Sequence, residues 1–121
     1  MRNVPQYFHV EPSDKTLVIS AVSSINMLFD DEVRDECDFL IDQLSQHNAT
    51  NLVIDLGSVD QFGSVMLELM VILWKHIKTG TGKFVVCNVP AVGKEVLQTT
   101  KLDTLWTILP SREEALTFVN S

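Results

Sequence analysis

Residues Asn51–Thr79 read NLVIDLGSVDQFGSVMLELMVILWKHIKT, and this stretch decides the fold. A short apolar strand, Leu52–Leu56, is followed by a tight polar loop. A long apolar helix then opens at or beside Ser64 and runs to Lys78. The strand carries the continuous apolar character of one buried on both faces, and the segment after it has the length of a helix. Ser64 therefore stands at the positive end of a helix, on a loop at the carboxyl end of a strand. Free N–H groups and the helix dipole both favour negative charge at such a place, so a phosphate is tolerated there. If the chain has a switch, Ser64 is the first residue to test.

Working towards the amino end, Asp30 or Asp31 can cap a helix, and Val33, Cys37, Leu40, Ile41 and Leu44 recur along it at helical spacing. His47-Asn48-Ala49-Thr50 ends it. Before it, Tyr7–Val10 and Thr16–Ala21 flank the polar turn Glu11-Pro12-Ser13-Asp14 and suggest an antiparallel hairpin. Working towards the carboxyl end, Thr79-Gly80-Thr81-Gly82 stops the apolar helix, and Phe84–Cys87 (FVVC) is the next buried strand. A helix over Ala91–Thr99 and a strand over Leu105–Leu109 follow. Ser111 and Glu114 form a capping box ahead of a last helix that ends near Val119. The order is β-β-α-β-α-β-α-β-α. It predicts an α/β fold with a mixed, mostly parallel sheet of about five strands and about four helices, in a single domain spanning residues 1–121.

The composition is that of a globular protein, 45% hydrophobic and 21% charged over 121 residues. The net charge of −7 argues against nucleic-acid binding, which requires a basic footprint. The opening MRNVPQYFHV has no apolar signal-peptide core, and the longest uninterrupted apolar run, Leu69–Trp74, is too short to span a bilayer. A cytoplasmic protein without membrane insertion is expected. Cys37 and Cys87 form no CxxC pattern and sit among apolar residues, which reads as two reduced core thiols.

Two segments together carry a family resemblance. Asn51–Leu67 is similar to the strand, loop and helix-start serine of STAS domains, the fold of bacterial anti-sigma factor antagonists. Leu97–Leu116, LQTTKLDTLWTILPSREEAL, resembles the family's carboxyl-terminal pattern at Leu102, Trp106, Ile108, Glu114 and Ala115. The resemblance implies a regulatory binding protein rather than an enzyme. It implies an anti-sigma factor with serine kinase activity as the partner and Ser64 as the phosphorylated residue. The partner-binding surface would comprise Ser58, Asp60, Gln61, Phe62, Gly63, Ser64, Met66 and Leu67. The chain departs from the family pattern at Gly63, where an acidic residue is usual, and at Val65, Met66 and Glu68, where small residues are usual. The alternative within the family is a phosphorylation-independent scaffold subunit of a stress-signalling or transport complex, with homo-oligomers as a further option.

Each candidate residue also has a plainer role. The Ser64 hydroxyl can serve as a helix N-cap worth about 1 kcal/mol. Asp55 and Asp60 form a pair of carboxylates that could hold a metal or do acid/base chemistry, yet loop capping is the favoured reading. Gly57-Ser58 suits a turn. Met70 belongs to the core, whereas Phe62 and Met66, close to the helix start, read as partner contacts. His9, His47 and His76 are scattered, with no zinc spacing, and Gly80-Thr81-Gly82-Lys83 follows a helix, the wrong order for a phosphate loop. No cofactor is expected.

Overall fold

The computed structural model describes residues 8–21, 30–58 and 63–120, and the side chains of 30–33 lie outside that description. Strands β1 (Phe8–Ser13) and β2 (Thr16–Ala21) form the hairpin. Helix α1 (Asp30–Gln46), strand β3 (Asn51–Asp55) and helix α2 (Ser64–Lys78) follow. Strand β4 (Phe84–Cys87), helix α3 (Ala91–Thr99), strand β5 (Thr107–Leu109) and helix α4 (Arg112–Val119) complete the order.

The five strands lie side by side in chain order, β1-β2-β3-β4-β5. β1 pairs antiparallel with β2, and every later pair is parallel. The sheet is therefore mixed and mostly parallel, as the sequence predicts.

Sheet order dictates where the helices go. Crossovers between parallel strands are right-handed, so three successive crossovers in one direction place α1, α2 and α3 on the same face. α4 follows the last strand and covers the other. The strand residues sort accordingly, because side chains alternate between faces. Leu17, Ile19, Leu52, Ile54, Phe84 and Val86 join Cys37, Leu40, Leu44, Leu69, Leu73 and Leu97 in the larger core. Val18, Val53, Val85 and Cys87 form a smaller core with Ala115 and Val119 of α4.

α2 buries Met66, Leu69, Met70, Leu73 and Ile77, which recur three and four residues apart. Its remaining apolar side chains, including Val65, Leu67 and Trp74, pack half-buried along the flanks of the same core. The wide apolar stripe is thus absorbed within the fold.

Several boundaries differ from the sequence reading. β1 extends to Ser13 because the hairpin turns on Asp14 and Lys15 alone, with Asp14 at φ 53°, the left-handed conformation that short hairpins require. Pro12 is accommodated because β1 is an edge strand. β5 begins at Thr107 rather than Leu105, after a 3-10 turn over Leu102–Thr104 entered through Lys101 at φ 63°. β3 ends at Asp55, although the Leu56 N–H still donates to the Cys87 carbonyl at 3.0 Å.

Gly82 has a defined purpose. A Cβ at this position would stand 1.5 Å from the Thr50 carbonyl oxygen, so the approach of the α2–β4 connection to the start of β3 requires glycine. The N-cap half of the expected capping box forms: the Ser111 Oγ accepts the Glu114 N–H at 3.2 Å, while the Glu114 carboxylate meets the Ser111 hydroxyl at 3.5 Å.

Candidate functional site

The carboxyl ends of the parallel strands are where α/β sheets present loops to ligands. Here that end is organised by Asp55, the last residue of β3, which is only 9% exposed. Its Oδ1 accepts the Gly57 N–H at 2.8 Å and the Asn88 Nδ2 at 3.1 Å. Its Oδ2 accepts from the Arg112 Nε at 3.1 Å. Arg112 also donates to the Ser20 Oγ at 2.6 Å and to Glu11 Oε2 at 3.0 Å. One carboxylate therefore turns the chain at Gly57, anchors the loop after β4 and holds the start of α4.

Asn88 sits at φ 55°, a left-handed position that asparagine tolerates. Loop capping by Asp55 is borne out. The ion pair and the asparagine were not read from the sequence. The available signal was that a carboxylate ending an apolar strand requires partners. Those partners lie 33 and 57 residues away and meet it only through sheet order.

Cys87 lies beside this network. Burial, reinforced by the Asp55 charge and opposed by Arg112, pushes its thiol up to about 12. Burial likewise raises Cys37 to about 12, with further contributions from Asp38, Glu36 and Glu68 against Arg34. Both thiols are free and buried, matching the reading of reduced core cysteines.

Ser64 is the first residue of α2 and is exposed. The N-cap position belongs to Gly63, which is extended and makes no side-chain cap bond. The sequence expectation that Ser64 caps the helix is corrected accordingly. Its hydroxyl stands one residue further in, where the helical backbone carries it on the outside of the first turn. That turn contains no acidic side chain, whereas the last turn contains Lys75, His76 and Lys78. The positive end of the dipole is thus uncompensated by a neighbouring carboxylate in the first turn, and the negative end is compensated.

Of the other expected contact residues, Ser58 and Gly63 are exposed and Leu67 is half-buried against the larger core. Met66 is fully buried at 0% exposure, which corrects its reading as a partner contact. The helical phase explains the correction: Met66 is the first member of the buried stripe that continues through Leu69 and Met70. Asp60, Gln61 and Phe62 lie outside the described residues.

This architecture, a mixed sheet with three crossover helices on one face and a serine opening α2, is that of a STAS-type regulatory fold. The chain belongs to the STAS domain family, whose model matches residues 7–115. Among solved structures it is similar to an anti-sigma-factor antagonist (STAS) domain protein from Planctomyces limnophilus, at 32% identity and a TM-score of 0.78. That match covers 94% of this chain and 98% of the other. An anti-sigma factor antagonist from Mycobacterium paratuberculosis is 25% identical, with a TM-score of 0.71 and coverage of 94% and 93%. The anti-sigma factor antagonist SpoIIAA in its unphosphorylated form shares the fold at 16% identity, a TM-score of 0.75 and coverage of 93% and 96%. No match was found among curated proteins. Among the described residues no helix is long and apolar enough to cross a membrane.

Proposed function

We propose that this protein is a non-enzymatic anti-sigma factor antagonist that binds a kinase-type anti-sigma factor and is released when Ser64 is phosphorylated. The observation that carries the reading is the position of Ser64. It is an exposed hydroxyl at the first turn of α2, at the carboxyl end of β3, in a chain 32% identical to an anti-sigma-factor antagonist domain. The partner would meet Ser58, Asp60, Gln61, Phe62, Gly63, Ser64 and the exposed edge of Leu67.

The chemistry is a phosphoryl transfer. The Ser64 Oγ forms a bond to the γ-phosphorus of ATP, the bond to the β-phosphate oxygen breaks, ADP leaves and the hydroxyl proton passes to a base. Gly63 offers no side chain to orient the acceptor, so base and orientation come from the kinase partner. The product places about −1.5 to −2 charges on the first turn of α2. Glu68, exposed and one helical turn on, shares that face, and the whole chain already carries −7. The added charge favours the helix terminus and disfavours any acidic or apolar surface packed against it.

The test uses a kinase-type anti-sigma factor from the source organism. Its binding to wild-type protein, Ser64→Ala and Ser64→Glu is measured by calorimetry, and the mixture with ATP and magnesium is analysed by mass spectrometry. Binding by wild type and Ser64→Ala, loss with Ser64→Glu and a single phosphate on Ser64 support the proposal. Equal binding by all three forms would remove the switch.

A further inference from the structure

The opposite end of α2 carries a second surface. Ser64 and Lys78 are separated by about 21 Å of helix. Around the last turn of α2 a groove of about 210 Å³ is lined by Trp74, Lys78, Lys83, Phe84, Leu105 and Phe118. It lies beside β5, which pairs with β4 on one side and forms the sheet edge. Among the described residues the exposed large apolar side chains are Val92, Leu105 and Phe118, at 44%, 60% and 37% exposure. Two of these three flank this groove, so apolar exposure is concentrated here rather than scattered.

The charge at the groove is opposite to that of the chain. The Lys78 Nζ lies 4.6 Å from the Trp74 ring centroid, and the Lys83 Nζ lies 4.9 Å from that of Phe118. These are cation–π distances, which hold both ammonium groups against the groove walls. No carboxylate among the described residues forms an ion pair with Lys78. In a chain of net charge −7, Lys78 makes a local basic site with aromatic walls, while the Lys83 Nζ also donates to the Phe118 carbonyl at 3.1 Å.

Lysines beside an edge strand can simply discourage strand pairing. The two edges of this sheet differ in their own residues. β1 carries a proline, Pro12, and a charged residue, Glu11, within the strand. β5, Thr-Ile-Leu, carries neither, and its neighbours Leu105 and Phe118 leave apolar surface in water. The groove is also smaller than the roughly 300–1,000 Å³ of small-molecule pockets. It suits one apolar side chain of a larger partner.

We infer that the β5 edge and its groove form a docking site for an extended acidic peptide segment of a partner protein. The segment adds a strand to Thr107–Leu109 by main-chain hydrogen bonds, seats one large apolar side chain between Trp74 and Leu105, and places a carboxylate by Lys78. This site is independent of the Ser64 switch.

The chain reports on its own groove, since one of its two tryptophans, Trp74, lines it, and the other, Trp106, lies 6.1 Å from Trp74 in an edge-on contact. A displayed library of random eight-residue peptides is selected on the wild-type protein and counter-selected on Leu105→Glu. The enriched peptides are synthesised and titrated by tryptophan fluorescence. The expected result is sequences that combine Leu or Phe with Asp or Glu and bind saturably. Affinity should fall at least tenfold in Leu105→Glu and in Lys78→Glu, and when alternate peptide amides are N-methylated. It should be unchanged in Ser64→Glu. Circular dichroism melts establish that each variant is folded. Absence of enrichment, enrichment of basic peptides, or equal binding by folded Leu105→Glu would overturn the proposal.

Discussion

The two faces of the sheet are built differently. One is covered by α1, α2 and α3 and buries long side chains such as Leu17, Leu52, Leu69 and Leu73. The other is covered by α4 over a row of shorter residues, Val18, Val53 and Val85, with Ala115 and Val119 of the helix itself. The difference follows from strand order, because same-handed crossovers leave the second face to whatever comes after β5. It teaches a division of labour. The thick face is held by packing. The thin face uses Arg112 to tie α4 to β1, β2 and β3, and Ser111 to cap it. Both ties gather at the carboxyl end of the sheet, where Gly57 and Ser58 lead towards Ser64.

Packing losses should therefore be largest on the thick face. Leu73, at 0% exposure, is expected to cost about 2–5 kcal/mol when replaced by Ala. Val119, in the last turn of α4 and 6% exposed, should cost roughly 1–2 kcal/mol as Ala. Urea denaturation of both variants measures the difference. An equal loss at Val119 would show that α4 is as strongly packed as α2.

The polar tie comes next. Asp55→Ala leaves Arg112, the Asn88 amide and the Gly57 N–H without their shared acceptor. The expected cost is about 2–3 kcal/mol, below the range for fully buried pairs because the Arg112 side chain is 33% exposed. Asp55→Asn retains an acceptor for Gly57 and should cost less. A similar cost for the two variants in urea melts would mean that the ion pair, rather than the turn at Gly57, carries the stabilisation.

The cysteines separate the two faces kinetically, because Cys37 belongs to the thick face and Cys87 to the thin one. Both are free and raised to about 12, so neither reacts as a thiolate while the fold is closed. Labelling with an aromatic disulfide near neutral pH should reach Cys87 before Cys37, since local opening of one short helix exposes it. Peptide mapping of the labelled chain decides the order. The same shifts carry a sign. Raised thiols favour the folded state fully below the unfolded value near 9.0, and that contribution is lost as pH climbs towards about 12. Stability measured against pH should decline over that window, and less steeply in Cys37→Ala than in wild type.

What could be read from the sequence follows the range of the interactions involved. The limits of α2, β4 and α3 and the Ser111–Glu114 cap depend on residues a few positions apart, and they match. The thin-face tie depends on Arg112 meeting Asp55 and Ser20, contacts that exist only once five strands are ordered. Met66 shows an intermediate case. Closeness to the helix start suggested the surface, but the helical phase set by Leu69, Met70 and Leu73 turns it inward. Ser64 was located correctly as the helix start, while the capping position went to Gly63 because the chain enters the helix one residue earlier.

Smaller still is the effect expected at Ser64 itself. A Glu at this position places a carboxylate in a first turn that contains no acidic side chain, which should stabilise the helix by about 0.3–1 kcal/mol at low salt. Repulsion from Glu68, four residues on, removes about 0.2–0.5 kcal/mol of that. The net change in a thermal melt should be a few tenths of a kcal/mol or less, fading as salt is added. This near-silence is what makes the variant useful. A large loss of partner affinity in a protein of unchanged stability can only come from the surface at the start of α2. A destabilised Ser64→Glu would instead mean that the hydroxyl supports the loop after Gly57, and that it belongs with Asp55 and Arg112 among the ties of the carboxyl end.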